Sequence, residues 1–306
     1  MAVKHLLSIA DLDGPGLWKL LHRAVELKKA GLCHVLAGRT LALLFEKPSL
    51  RTRVSFDVAM YQLGGFSMYL SQVEVGLGVR EPIADVARVL SRYVNGIVVR
   101  TFNQSDIAEL ARHASVPVIN GLSDDEHPCQ AIADFLTIYE KKGRLEGLTL
   151  AFIGDGNNVS RSLMLAASLV GANFRIASPQ GYELSPEYVA LAQDNAAKSG
   201  ACISLLRDPA EAVDGSDVVY TDVWVSMGQE KERSQRVVDF RGYQVNAKLL
   251  AGAKADAIVM HDLPAHHGEE IGDDVFDCPQ SVIFDQSENR LHAQKAILAE
   301  CMGPAS

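Results

Sequence analysis

Leu41-Ala42-Leu43-Leu44-Phe45-Glu46-Lys47-Pro48-Ser49-Leu50-Arg51-Thr52-Arg53 is the stretch from which the fold is read. Leu41–Phe45 is an uninterrupted apolar run, the pattern of a strand buried on both faces of a parallel sheet. A proline turn follows, and then hydroxyls and guanidiniums gather where a helix begins. The first turn of a helix carries amides with no intrahelical carbonyl and the positive end of the helix dipole, so it is a natural anion site. Arg51 and Arg53 add planar, fork-shaped donors suited to phosphate oxygens. The plainer alternative is a capped, solvated helix start with two unrelated arginines, and this stretch alone does not choose between them.

Outward from this point, short apolar runs alternate with amphipathic stretches along all 306 residues, the pattern of an α/β protein. Strands are expected at Thr40–Phe45, Ser67–Leu70, Gly96–Arg100 and Val116–Asn120 in the first half. The second half suggests Thr149–Ile153, Asn173–Ala177, Val218–Thr221, Ala257–Met260 and Ser281–Phe284. Helices are expected at Gly16–Ala30, Arg53–Leu63, Pro82–Tyr93, Ser105–Ser115, Cys129–Lys141, Ser160–Val170, Pro186–Lys198 and Glu288–Cys301. A chain of this length exceeds one typical core. The charged, glycine-punctuated run Lys141-Lys142-Gly143-Arg144-Leu145-Glu146-Gly147 marks the boundary. The expected architecture is two domains, each a parallel sheet with helices on both faces, joined by long helices. They cover residues 1–142 and 147–287, with a final helix over 288–306 returning to the first.

The net charge of -9 argues against a general binder of nucleic acid or acidic membrane. Any anion site is then a local basic cluster in an acidic protein. The five cysteines (Cys33, Cys129, Cys202, Cys278, Cys301) are scattered, and no pair has metal-ligand spacing. Neither a disulfide framework nor a zinc site is implied, and a reducing compartment fits best. The N-terminal stretch Met1–His5 has no signal-peptide pattern and no long apolar span follows, so a cytoplasmic protein is expected. No metal and no cofactor is called for.

Several strand ends carry polar groups. Gly154-Asp155-Gly156-Asn157-Asn158-Val159 follows a strand and opens a helix. It lacks the third glycine of a dinucleotide fingerprint, and the next strand ends without an acidic residue, which argues against a nicotinamide site. Asn157 and Asn158 read either as turn residues or as partners for a small polar group. His127-Pro128-Cys129-Gln130 follows another strand; the imidazole can polarise a carbonyl, and the Gln130 amide can donate and accept. Cys129 has no nearby base and reads as a buried helix-start thiol. Arg100 directly after a buried strand needs an anion, either a ligand or an acidic side chain. Asp222-Val223-Trp224-Val225-Ser226-Met227-Gly228 offers a carboxylate, a hydroxyl and a flexible glycine suited to a cationic amine on a mobile loop. In His261-Asp262-Leu263-Pro264-Ala265, proline fixes the backbone so that Leu263 can present its carbonyl. Arg290 is a further anion partner, although such an arginine on its own is commonly on the surface.

Together these segments resemble the aspartate/ornithine carbamoyltransferase superfamily, most closely its ornithine branch, in order and spacing from the first domain to the last helix. The Asp222–Gly228 loop is the part that separates the ornithine branch from the aspartate branch. The resemblance implies a carbamoyl-phosphate-binding first domain and an ornithine-binding second domain. Ser49, Leu50, Arg51, Thr52, Arg100, His127, Gln130, Leu263 and Arg290 would hold carbamoyl phosphate. Asn158, Asp222, Ser226, Met227 and Asp262 would face ornithine. Arg51, Arg100, His127 and Asp262 are the residues it makes catalytic. It also implies direct transfer to the side-chain amine, giving citrulline and phosphate, closure of the loop at 226–230 over the substrates, and a homotrimer or an assembly of trimers.

Four positions depart from the family pattern. Leu50 stands where threonine is usual, at a position that offers mainly its backbone. Asp262 stands where a cysteine lies beside the reacting amine; a carboxylate there favours the ammonium form and raises the amine's pKa. Gly76 stands where a neighbouring subunit usually supplies glutamine or histidine, a contact that Arg80 could replace. His267 stands where arginine is common, with no role evident in the sequence. Asp262 keeps open a related transferase acting on putrescine or a modified ornithine. A non-catalytic sensor of carbamoyl phosphate is the alternative outside enzymes.

Overall fold

The computed structural model describes residues 5–304. Met1–Lys4, most of the stretch on which the absence of a leader is judged, lie outside them, as do the last two residues of the expected 288–306 helix. The chain divides into two compact units. One runs to Leu136 and resumes at Glu288; the other is Thr137–Ser287. The chain passes between them inside two helices, Pro128–Lys142 and Ile283–Met302.

The first unit holds a parallel sheet of β1 (Thr40–Phe45), β2 (Phe66–Ser71), β3 (Gly96–Arg100) and β4 (Val118–Leu122), in the order β2-β1-β3-β4. Ala42, Leu44, Ile97 and Val99 pack on Val86, Ile107 and Leu110 of the helices Ile83–Tyr93 and Gln104–His113. Leu41, Leu43 and Val98 alternate to the opposite face and are also buried. Burial on both faces is why β1 reads as one continuous apolar run. β2 is an edge strand, and Phe66 and Met68 on it remain exposed.

Lys295, on the helix Ile283–Met302, is fully buried in this unit. Its ammonium donates to the carbonyls of Leu27 (2.8 Å) and Gly31 (2.7 Å) and to Gln62 Oε1 (3.0 Å). It thereby caps the carboxyl end of the helix Gly14–Ala30. Burial pulls its pKa below the ordinary lysine value. Replacing Lys295 by methionine leaves three acceptors unpaired. It is expected to cost about 3 kcal/mol of unfolding free energy, read by urea denaturation.

The second unit holds β5 (Thr149–Ile153), β6 (Asn173–Ala177), β7 (Ile203–Leu206), β8 (Val218–Thr221) and β9 (Ile258–His261), all parallel, in the order β7-β6-β5-β8-β9. Its core joins Ala151, Ile153, Val219 and Val259 to Val245, Ile271 and Val275. β7 is absent from the sequence reading: it is a short edge strand with Leu205 half-exposed, so its apolar pattern is weak. The strand expected at Ser281–Phe284 is not one. Ser281 makes a single bridge to Val259 and the long helix begins at Ile283. The run Ser281-Val282-Ile283-Phe284 is apolar enough for either state, and here its buried side chains enter the core as a helix start.

In each sheet the strand order reverses once, between β1 and β3 and between β5 and β8. Loops leaving the carboxyl ends of strands at such a reversal diverge to opposite faces and open a crevice, the usual ligand position in doubly wound sheets.

Candidate active site

At the first reversal, β1 leads into the helix Leu50–Gln62, which begins three residues earlier than the sequence suggests. Ser49 is its N-cap, and its hydroxyl accepts the Thr52 amide (3.3 Å). Leu50, Arg51 and Thr52 therefore form the first turn, where amides lack intrahelical carbonyls. The side chain of Leu50 is exposed and Arg51 is half-buried. Arg53 instead stacks on Tyr69, 4.0 Å from the ring centre, and pairs with Asp57 at 3.8 Å.

Arg290 reaches this turn across 238 residues of sequence and is almost fully buried. Its guanidinium donates to Thr52 Oγ1 (3.1 Å) and to Gln130 Oε1. Gln130 in turn donates to Asp134 (2.8 Å), which fixes the orientation of its amide. Arg100, at the end of β3, pairs in register with Phe45 at the end of β1. Lys47, buried in the connecting turn, pairs with Asp124 and lies over the ring of Phe102. Cys129 donates its thiol to the Asn120 carbonyl, and burial pushes its pKa up to about 12, so it is a structural thiol and not a nucleophile.

His127 is buried, and its pKa is held well below the ordinary value. Desolvation is the main cause, and the charges of Arg290 and Arg100 add to it. A neutral imidazole here donates a hydrogen bond without delivering a proton. Between the unfolded histidine value and the depressed folded value, the unfolded chain binds the extra proton, so stability falls as pH falls. His292, also depressed mainly by burial, acts in the same direction. His127→Asn is expected to flatten the loss of unfolding free energy below about pH 6.5, a slope of up to about 1.4 kcal/mol per pH unit for one proton. Urea titrations at several pH values read this slope.

At the second reversal, Asn157 caps the helix Asn158–Val170, accepting the amides of Val159 (3.0 Å) and Ser160 (3.1 Å). Its amide nitrogen donates to Asp222 Oδ2 (2.7 Å) at the end of β8. Asn158, the first helical residue, is half-buried beside it. Gly156 has a packing reason: a Cβ there would lie 2.4 Å from the backbone of Glu183 and Leu184. The dinucleotide-like glycine thus serves a close crossing of two backbones. Asp155 binds Arg236 (2.6 Å), which also donates to the Trp224 carbonyl (3.1 Å) and so ties the Asp222–Gly228 loop to β5. Burial raises the Asp155 carboxyl above its ordinary value, and Arg236 only partly offsets this. Ser226 and Gln229 close the loop on each other, with Met227 exposed between them.

His261 at the end of β9 is fully buried. Its Nδ1 accepts the Leu263 amide (2.9 Å), so the proton sits on Nε2 and faces Glu270 Oε1 at 3.1 Å. Burial alone would raise the Glu270 carboxyl, but the hydrogen bonds from His261 and the His266 amide outweigh it and hold it below its ordinary value. The Leu263 bond secures a left-handed residue (φ 61°) just before Pro264, a conformation costing a non-glycine residue about 1–2 kcal/mol. Asp262 is half-buried, with Oδ1 3.6 Å from His261 Nδ1.

The aspartate/ornithine carbamoyltransferase carbamoyl-P binding domain matches residues 4–140, and the Asp/Orn binding domain of the same family matches residues 146–301. The chain belongs to the aspartate/ornithine carbamoyltransferase family. It is 54% identical to an ornithine carbamoyltransferase of Thermococcus kodakarensis, covering 99% of this chain and 98% of that protein. It is 52% identical to an anabolic ornithine carbamoyltransferase of Pyrococcus furiosus, with the same coverage. The solved Pyrococcus furiosus ornithine carbamoyltransferase superposes with a TM-score of 0.96 at 50% identity, covering 100% of this chain and 99% of that one. The anabolic enzyme of Campylobacter jejuni superposes with a TM-score of 0.93 at 39% identity, over 96% and 97% of the two chains.

Within the first unit of this family member, the structure brings Ser49, Thr52, Gln130 and Arg290 into one hydrogen-bonded group with Arg100 and His127 beside it. Within the second it joins Asp222 to the Asn157 cap, and Leu263 to His261. Sequence reasoning missed Lys47, Arg236 and Glu270. Lys47 and Arg236 are buried charges with partners, Asp124 and Asp155, that lie 77 and 81 residues away, and Glu270 is buried against His261 at the end of β9. His267 has a structural place: its Nδ1 is 2.7 Å from Asp273 and its ring packs on Phe276.

Proposed function

We propose that this chain transfers the carbamoyl group of carbamoyl phosphate to the side-chain amine of L-ornithine, giving L-citrulline and phosphate. The observation that carries this reading is the buried Arg290 bound to Thr52 and Gln130 at a Ser49-capped helix start, in a chain with full-length relatives named ornithine carbamoyltransferase. In this reading the first-turn amides of Leu50 and Arg51, the Ser49 and Thr52 hydroxyls and the Arg51 guanidinium hold the phosphate. Arg100 and neutral His127 donate to the carbamoyl oxygen, while Gln130 and Arg290 fix its orientation. The main-chain carbonyl of Leu263 accepts from the carbamoyl NH₂. Asn158, Asp222, Ser226 and the Met227 backbone hold the amino-acid end of ornithine, and Asp262 faces its reacting amine.

The neutral amine attacks the carbonyl carbon, and a C–N bond forms as negative charge grows on the oxygen. Donors already fixed at that oxygen lower the barrier, typically by about 3–4 kcal/mol each. The C–O bond to phosphate then breaks, and the phosphate leaves with the amine's proton. Closure of the loop at 226–230 excludes water from the labile substrate. The synthetic direction of arginine formation is supported by the anabolic relatives.

Citrulline formation from carbamoyl phosphate and ornithine across pH tests the whole reading. Activity is expected to climb toward alkaline pH, because Asp262 stabilises the ammonium form of the amine. Product with putrescine but not ornithine would instead favour a different amine, the reading that Asp262 in place of cysteine keeps in view. We also propose a homotrimer: Val54, Tyr61, Phe66 and Met68 expose apolar area on the Leu50–Gln62 helix and edge strand β2. Sedimentation at one chain mass would refute it. A cytoplasmic location is consistent with five unpaired cysteines, and no helix among the described residues is long and apolar enough to cross a membrane. Cell fractionation checks this placement.

A further inference from the structure

Beyond the Leu263–Pro264 turn the chain runs Ala265-His266-His267-Gly268-Glu269-Glu270, and three of these side chains converge. One ligand-type atom from each of His266, Glu269 and Glu270 lies within 4.8 Å of the other two. His266 Nδ1 and Glu270 Oε2 are 3.8 Å apart, too far for a hydrogen bond. His266 Nδ1, Glu269 Oε2 and Glu270 Oε2 are all shut off from solvent, and none has a hydrogen-bond partner among the described residues.

The remaining atoms of these side chains are anchored. Glu270 is fully buried, and its Oε1 takes His261 Nε2 and the His266 amide. Glu269 Oε1 takes Arg233. Each carboxylate is therefore held by one oxygen and has a second that no donor satisfies. Leaving a buried carboxylate oxygen and a buried imidazole nitrogen unpaired is costly, and a cation removes that cost for all three atoms at once.

We propose that His266 Nδ1, Glu269 Oε2 and Glu270 Oε2 form a binding site for a divalent first-row transition metal such as Zn²⁺, Co²⁺ or Mn²⁺, with water completing the coordination. One imidazole and two carboxylates is a donor set for these ions. Mg²⁺ and Ca²⁺ prefer all-oxygen shells. The bracing of both carboxylates by Arg233 and His261 is the outer support that such ligands usually have. A second convergence, of Asp222, His261 and Asp262, does not serve the same way, because both nitrogens of His261 are already engaged. Nor does His267 join the site, since its Nδ1 faces Asp273.

The test uses the full chain, without an affinity tag, freed of metal by a chelator and titrated with Co²⁺. Calorimetry is expected to show one saturable site per chain, with a visible Co²⁺ absorption band that Zn²⁺ abolishes by competition. His266→Ala and Glu269→Gln are each expected to weaken binding by at least about tenfold, while His267→Ala leaves it unchanged. Glu270→Gln is avoided because Glu270 also holds His261. Circular dichroism confirms that the variants are folded. Absence of saturable binding, binding that survives both ligand variants, or loss in His267→Ala would overturn the proposal.

Discussion

Arg51→Ala is expected to lower kcat/KM for carbamoyl phosphate by about a thousandfold, with the fold intact. A guanidinium on a dianion makes charge-assisted bonds worth about 1.5–3 kcal/mol each, and Arg51 can offer two in parallel. Its position in the first turn adds its side-chain charge to the dipole and amides of the helix start. Among the described residues, the Arg51 side chain makes no ion pair or hydrogen bond, so its removal leaves no buried partner exposed. Urea denaturation is therefore expected to match the parent chain. Arg51→Lys keeps the charge but loses the fork and is expected to fall between the two. Near-normal turnover of Arg51→Ala would remove the phosphate assignment.

The second large effect is on ornithine. Asp222→Asn is expected to raise the ornithine KM about a hundredfold while changing the carbamoyl-phosphate KM little. The carboxylate is buried and accepts from Asn157 and from the Val223 amide, so it is oriented before any ligand arrives. Neutralising it removes a charge-assisted bond to an ammonium group and keeps the side-chain shape. Because Asn157 also caps the Asn158–Val170 helix, a change at Asp222 could act through that cap instead. Stability separates the two: loss of a ligand contact leaves the urea midpoint unchanged, whereas loss of the cap costs about 1 kcal/mol. An unchanged ornithine KM would free Asp222 from this role.

Much of the fold can be read without coordinates because parallel strands buried on both faces carry a strong local signal. Thr40–Phe45, Gly96–Arg100, Thr149–Ile153, Asn173–Ala177 and Val218–Thr221 have the same bounds in sequence and structure. Edges are harder. β7 is short and partly exposed, and Ser281–Phe284 is apolar whether strand or helix. Local periodicity cannot separate such states; packing on Val259 and its neighbours does so.

The site divides in the same way. Which residue types stand at the strand ends, and that a hydroxyl-and-arginine helix start suits an anion, follows from local chemistry alone. That chemistry travels with a few consecutive residues, whatever the rest of the chain does. The bonds from Arg290 to Thr52 and from Arg236 to Asp155 span 238 and 81 residues. The buried charge on Glu270 and the depressed pKa of His127 likewise depend on burial and on neighbours that folding brings close. Electrostatic environment is a property of three-dimensional neighbours and solvent exclusion, and neither is written in the order of residues along one strand.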